Sequence, residues 1–160
     1  LRYLTLSELI YINGKLLNNA QIMSGKQKVR DITLLQAAVA RPAASAFGAD
    51  AYPTLREKMA ALFHSVARNH PFTDGNKRTA VVAALFMAQV NGERLVWQPE
   101  AALPVILSAA EGHYNVERLA GWFTLTIGAA SPEADADQDM LAIGRIIDEQ
   151  RWLLDELANQ

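Results

Sequence analysis

The stretch His70-Pro71-Phe72-Thr73-Asp74-Gly75-Asn76-Lys77-Arg78-Thr79-Ala80 puts an imidazole, a carboxylate, a glycine, a carboxamide and two cations side by side, then runs into the apolar segment Val81 to Met87. Ala80, Val81, Ala84, Leu85 and Ala88 fall on an i, i+3/i+4 pattern, so the spacing predicts a loop that opens a largely buried helix. The first turn of that helix is Gly75 to Thr79, and its unpaired N–H groups face whatever lies above the loop. Such a helix start attracts anions, because the free donors and the positive end of the macrodipole point the same way. Lys77 and Arg78 stand where the dipole disfavours cations, which argues that an anion compensates them. We read this turn as a phosphate seat.

Each neighbouring residue type has a physical reason to be there. Gly75 lets the chain turn with φ > 0 and lets a phosphate approach without a Cβ in the way. Asp74 is the acid beside these cations; a carboxylate next to phosphate oxygens makes sense chiefly as a Mg²⁺ ligand, since acid and phosphate alone repel. Asn76 can donate to a phosphate oxygen or cap the turn. His70, with an ordinary pKa near ~6.5, is the side chain here able to take a proton from a hydroxyl nucleophile at neutral pH. Base, metal ligand, anion seat and helix dipole together make a parts list for phosphoryl or nucleotidyl transfer. Transition-metal binding by His70 and Asp74 is disfavoured, because no second histidine is near and Pro71 spoils a helical pair. The loop is not a Walker P-loop, which needs a glycine where His70 stands. His64 and His113 read as surface or internally satisfied residues, Arg30, Asp31 and Arg41 as ion pairs or caps, and the tryptophans as core or interface.

Outward from this loop the chain reads as helices. Thr5-x-x-Glu8 is a capping box for a helix over residues 5–17, with Leu6, Leu9, Ile10, Asn13, Leu16 and Leu17 on helical spacing. Asn18 to Arg30 is a polar connection. Asp31 caps a short helix, Ile32 to Ala40, that Pro42 ends. Ala43 to Pro53 is a long loop or short hairpin. Thr54-x-x-Glu57 starts a helix through Arg68 that delivers His70 to the loop. The core helix covers Asn76 to Val90, and Asn91-Gly92 suits the left-handed turn after it. Leu95-Val96-Trp97 suggests a brief strand, Pro99 a helix to about Ala110 that Pro104 kinks or begins, and Asn115 a helix through Ile127. The acidic, alanine-rich Ser131 to Asp139 reads as an exposed linker. In the final segment Met140, Ile143, Ile147, Leu154 and Leu157, widened by Ile146 and Leu153, form an apolar stripe. That face must be covered, either by folding back on the domain, which is favoured, or by a dimer or antitoxin contact.

Composition bounds the answer. The 160 residues suit one domain with a core, and 51% hydrophobic content with prominent alanine and short β-branched runs favours helical packing. A net charge of −2 offers no global basic field for nucleic acid. The absence of cysteine excludes disulfides and thiol chemistry and fits a cytoplasmic setting. No apolar run approaches the ~18 residues of a membrane span, and no leader-like pattern is visible.

The run HPFTDGNKRTA resembles the signature of the Fic/Doc superfamily, and its GNKR ending resembles the death-on-curing (Doc) branch. Val29-Arg30-Asp31, Leu34-Leu35, Ala40-Arg41-Pro42, Tyr52, Leu55 to Ala61 and Asn91-Gly92 look like further landmarks of that branch in the same order, so the likeness covers roughly residues 1–125. The resemblance implies an all-α, compact helical bundle with a small flap at residues 43–53 that holds a target segment by strand-like pairing. Residues 1–128 would be the catalytic domain, 129–139 a linker and 140–160 an extra C-terminal helix. Fic adenylyltransferases have a second glycine and a further arginine where Lys77 and Val81 stand. In the Doc branch that difference goes with ATP bound in an inverted sense, so that the γ-phosphate passes to a Ser/Thr hydroxyl of a protein, best known for a threonine of elongation factor Tu. Carried over, His70 is the general base, Asp74 the Mg²⁺ ligand, Gly75, Asn76 and Lys77 the anion hole, and Arg78 a phosphate clamp. ATP and Mg²⁺ are the implied cofactors, and a separate antitoxin the implied inhibitor. The inhibitory run of some relatives, Ser or Thr four residues before Glu and then Gly or Asn, has no match; Ser108 with Glu111-Gly112 is one residue short. AMP transfer by the same loop and a catalytically silent binding scaffold are the alternatives, and the C-terminal helix offers a route to a dimer.

Overall fold

The helix predicted over residues 76–90 becomes the centre of the molecule. The computed structural model describes residues 1–18, 29–129 and 134–160. Among these the α-helices are α1 (Leu6–Leu16), α2 (Ile32–Ala40), α3 (Leu55–Asn69), α4 (Asn76–Val90), α5 (Pro99–Ala110), α6 (Val116–Trp122), α7 (Ala136–Glu149) and α8 (Arg151–Ala158). Two small antiparallel sheets accompany them: β1 (Ser45–Ala46) with β2 (Ala49–Asp50), and β3 (Glu93–Val96) with β4 (Thr124–Ile127). The fold is thus mostly α, as the sequence pattern predicts.

Helix α4 is central because its sequence is apolar all round, not on one face alone. Every residue from Thr79 to Ala88 is buried, and α1, α3, α7, α8 and β3 pack around it. Ala80, Ala83, Ala84 and Ala88 keep its surface low, which lets neighbouring helices approach closely, while Phe86 and Met87 fill the remaining space. Each such fully buried large side chain contributes roughly 1.5–3 kcal/mol relative to exposure. α3 lies against α4 with Met59, Leu62, Phe63 and Val66 buried.

The caps follow the sequence closely. Thr5 accepts from the Glu8 N–H at 3.2 Å while the Glu8 carboxylate accepts from the Thr5 N–H at 2.8 Å, a complete capping box. Asp31 caps α2 through the Leu34 N–H at 3.0 Å. At α3 only half a box forms: Thr54 caps the Glu57 N–H, but the Glu57 carboxylate takes the Thr54 hydroxyl at 2.8 Å instead of a backbone donor. The hairpin of β1 and β2 is tied down by the buried Lys58, whose ammonium reaches the Pro42 carbonyl and Asp50, each at 3.2 Å.

Three readings need adjustment. The helix expected from Asn115 through Ile127 stops at Trp122, and Thr124–Ile127 form β4 on β3. The alternation Thr-Leu-Thr-Ile is a strand pattern, and pairing with residues 93–96 decides it. The acidic segment before Met140 is in part helix: α7 starts at Ala136, capped by Asp135 through the Gln138 N–H at 3.1 Å, with Asp137 and Asp139 favoured in its first turn by the dipole. The C-terminal helix is two helices joined at Gln150, and Ile143, Ile146, Ile147, Leu153, Leu154 and Leu157 are buried against α4, α5 and α1. The chain thereby covers its own stripe from Ile143 onward by folding back on the domain, while Met140 at the start of the stripe stays exposed. Pro104 sits inside α5, whose helix continues past it. Most of the connection read at residues 18–30, and residues 130–133 of the linker, lie outside the described residues. No helix among the described residues is long and apolar enough to cross a membrane.

Candidate active site

The loop between α3 and α4 is built by residues distant in sequence. α3 ends with His70 in the left-handed conformation, φ 50 and ψ 60. That conformation costs a non-glycine residue energy and needs support. Support comes from residues 29–31: the Arg30 guanidinium donates to the His70 carbonyl and, at 2.8 Å, to the Asn69 carbonyl, while the Arg30 and Asp31 N–H groups both donate to the Pro71 carbonyl at 2.8 and 3.0 Å. Val29 bridges Phe72, which is buried. The expected structural role of Arg30 and Asp31 is therefore met. Arg41 is likewise internal, bonded to the Tyr52 hydroxyl, to His64 Nδ1 and to Ser65 Oγ.

The Asn76 carboxamide is buried and closes the loop on both sides, accepting from the Phe72 N–H and donating to the Phe72 carbonyl, each at 3.0 Å. Its side chain is thus engaged, and what Asn76 can offer an anion is its backbone N–H. Gly75 has φ 74, the left-handed region that favours glycine, and a Cβ there would lie 3.3 Å from the side-chain ends of both Asn13 and Leu17, a tight fit that a small shift of those side chains could relieve. Asn13 of α1 donates to the Asp74 carbonyl at 2.9 Å and to the Thr79 hydroxyl at 3.1 Å, pinning the loop to the first turn of α4. Reading the sequence did not assign Asn13 or Arg30 to this loop. A carboxamide among the apolar positions of α1 was the available signal for Asn13.

The N-cap of α4 is Gly75, and among the described residues no side-chain cap hydrogen bond is made there. Lys77 and Arg78 are half-buried beside it, and Lys77 has no acidic partner among the described residues. The Asp74 carboxylate is 71% exposed; its Oδ1 accepts from the Gly75 N–H at 2.8 Å and lies 3.7 Å from Arg78. The His70 ring is exposed at the same cavity. Partial desolvation, and then the charges of Lys77, Arg30 and Arg68, push its pKa below the ordinary imidazole value, so it is neutral and able to accept a proton at neutral pH. Together His70, Asp74, Gly75, Asn76, Lys77 and Arg78 line one cavity of about 220 Å³ with Thr73 and with Leu157, Ala158 and Gln160 of the α8 end. The predicted residues are brought together; the contribution of the C-terminal helix was not legible beforehand.

The donors suit Mg²⁺ better than a transition metal. Among the described residues no group of three or more His, Cys, Asp or Glu side chains could cage a metal. Mg²⁺ is commonly held by one or two carboxylates, with phosphate oxygens and water completing its shell. Asp74, exposed at the edge of an anion-attracting turn, fits that mode.

A family model described as the Fic/DOC family matches residues 3–88. Over 71 residues the chain is 58% identical to the curated "Toxin Doc" of Mycolicibacterium smegmatis (strain ATCC 700084 / mc(2)155), an alignment covering 44% of this chain. The chain spans 55% of that relative's length.

Proposed function

This chain belongs to the Fic/DOC family, on its Doc branch, and on that premise we propose that it is a toxin that transfers the γ-phosphate of ATP to a Ser/Thr hydroxyl of a protein. The observation that carries this reading is the uncapped start of α4, flanked by Lys77 and Arg78, in one cavity with a neutral imidazole. The free N–H groups of the first turn and the two cations hold phosphate oxygens and neutralise charge that spreads over them during transfer. Asp74 is the residue that would hold Mg²⁺, which when bound would supply positive charge to neutralise the phosphate oxygens. His70 takes the hydroxyl proton on a ring nitrogen as the alcohol oxygen bonds to the γ-phosphorus and the bond to the β-phosphate oxygen breaks, releasing ADP. Positioning and electrostatics thus supply most of the acceleration.

Val81 supports phosphate over AMP transfer, because an arginine at this place in the motif goes with the adenylylating branch. The exposed strands β1 and β2 offer main-chain donors and acceptors on which a target segment pairs. A separate antitoxin inhibits the enzyme, and elongation factor Tu is the first target to try. Incubation with ATP labelled at the γ- or the α-position, a bacterial lysate and then purified targets tests the reaction. Label from the γ-position and an added phosphate by mass spectrometry are expected. Label from the α-position with an added AMP would replace this reading with adenylylation. Mg²⁺-dependent ATP binding that is absent in the unaltered chain would favour a silent scaffold.

A further inference from the structure

Asn13 is a carboxamide in an apolar setting. It stands on α1 among the buried Leu9, Ile10 and Ile12 and is 1% exposed. An aliphatic side chain there would pack without desolvating a polar group, and leucine would also favour the helix more. A buried carboxamide is tolerated where its hydrogen bonds are made. Asn13 makes its bonds to the loop, with Nδ2 donating to the Asp74 carbonyl at 2.9 Å and to the Thr79 hydroxyl at 3.1 Å.

Those two acceptors bracket the phosphate seat. Asp74 precedes the N-cap Gly75, and the Thr79 N–H donates to the Gly75 carbonyl at 2.8 Å, the first turn of α4 closing on itself. The N–H groups of residues 76–78, which a helix start leaves for an anion, lie between them. The Asp74 carboxylate is tied to the same frame, because its Oδ1 accepts from the Gly75 N–H at 2.8 Å. The Asp74 carbonyl and the Gly75 N–H belong to one planar peptide unit, so a bond that holds the carbonyl also holds the donor that orients the carboxylate. Thr79 is fully buried, which makes the other end of the link a fixed anchor.

We propose that Asn13 is a positioning residue for the metal-holding carboxylate: it keeps Asp74 in a set relation to the N–H groups of α4, so that both engage one Mg·nucleotide together. This rests on the nucleotide reading of the seat. Asn13 acts through Asp74 and has no contact of its own with the nucleotide. Side chains that orient a metal-holding residue typically matter ~10–100-fold for affinity.

Affinity for Mg·ATP is measured by titration of the unaltered chain, Asn13→Ala, Asp74→Ala and the double variant, with thermal melting to establish that each is folded. Asn13→Ala is expected to bind about tenfold more weakly. It should change affinity by less than about twofold once Asp74 is already alanine, because no carboxylate is left to orient. Thr79→Val and Thr79→Ser form a second pair that leaves α1 unaltered. The valine variant, which lacks the hydroxyl, should bind more weakly than the serine variant, which keeps it. An affinity within about twofold of the unaltered chain in folded Asn13→Ala, or the same tenfold loss repeated without the Asp74 carboxylate, overturns the assignment and leaves the nucleotide reading standing. If Asn13→Ala does not fold, the threonine pair decides, and equal affinities of its two variants overturn the assignment. If the unaltered chain does not bind Mg·ATP, the nucleotide reading and the role of Asn13 both fall.

Discussion

The loop with α4 and the α7–α8 pair are held by different physics, although both border the same cavity. The loop is stitched by directional bonds from remote residues: Arg30 to the backbone of residues 69 and 70, Asn76 to Phe72, and Asn13 to Asp74 and Thr79. α8 is held chiefly by three leucines and one tryptophan–glutamine bond at its joint. Hydrogen bonds fix angles and distances, which catalysis needs. Apolar contact fixes only proximity, which leaves an element replaceable or mobile. The comparison teaches that this cavity has a rigid chemical side and a softer covering side.

That difference can be broken by several measurements. His70→Ala should cut transfer by ~10²–10⁴-fold with little change in thermal stability, since His70 is exposed. Arg151→Ala in α8, also exposed, should leave the rate within about twofold, in line with the small effect of most surface substitutions. A comparable loss from both would erase the chemical distinction between the sides. Urea unfolding should show Phe86→Ala costing ~3–5 kcal/mol and Leu154→Ala less, toward the lower end of ~2–5 kcal/mol, because α8 can collapse onto the cavity. A larger cost at Leu154 would make the C-terminal pair the tighter region.

Smaller effects sharpen the same contrast. Asn76→Ala leaves the Phe72 N–H and carbonyl without partners and should cost ~1–3 kcal/mol while also weakening ATP binding; intact binding would detach the loop shape from the seat. Asp135→Ala removes only the α7 cap, about 1 kcal/mol by denaturation, with ATP affinity unchanged.

The pH response has a determined sign. Burial first, and neighbouring cations second, lower the pKa of both His64 and His70 in the folded chain. The unfolded chain therefore binds protons first as pH falls below the ordinary ~6.5. Stability from these two groups is present above that value and declines as pH drops through it toward their folded values. Transfer activity, if His70 is the base, should hold as pH falls past ~6.5 and fail only lower. An acid limb above that value would count against His70 in this role.

Local sequence determined α4 almost to the residue, because its apolar residues keep helical spacing over a length that suits a buried helix, and Gly75 suits the left-handed turn before it. It also determined the company of His70, Asp74, Lys77 and Arg78, since neighbours in a short loop stay neighbours in space. Asn76 was legible as part of that loop, but not that both ends of its carboxamide are taken by Phe72. Thr124–Ile127 could not be told from a helix end, because a strand exists only with its partner at residues 93–96. The same holds for Asn13, Arg30 and the last turn of α8: their places depend on contacts between segments far apart in the chain. Spacing along one segment does not encode such contacts, and tertiary packing alone decided them.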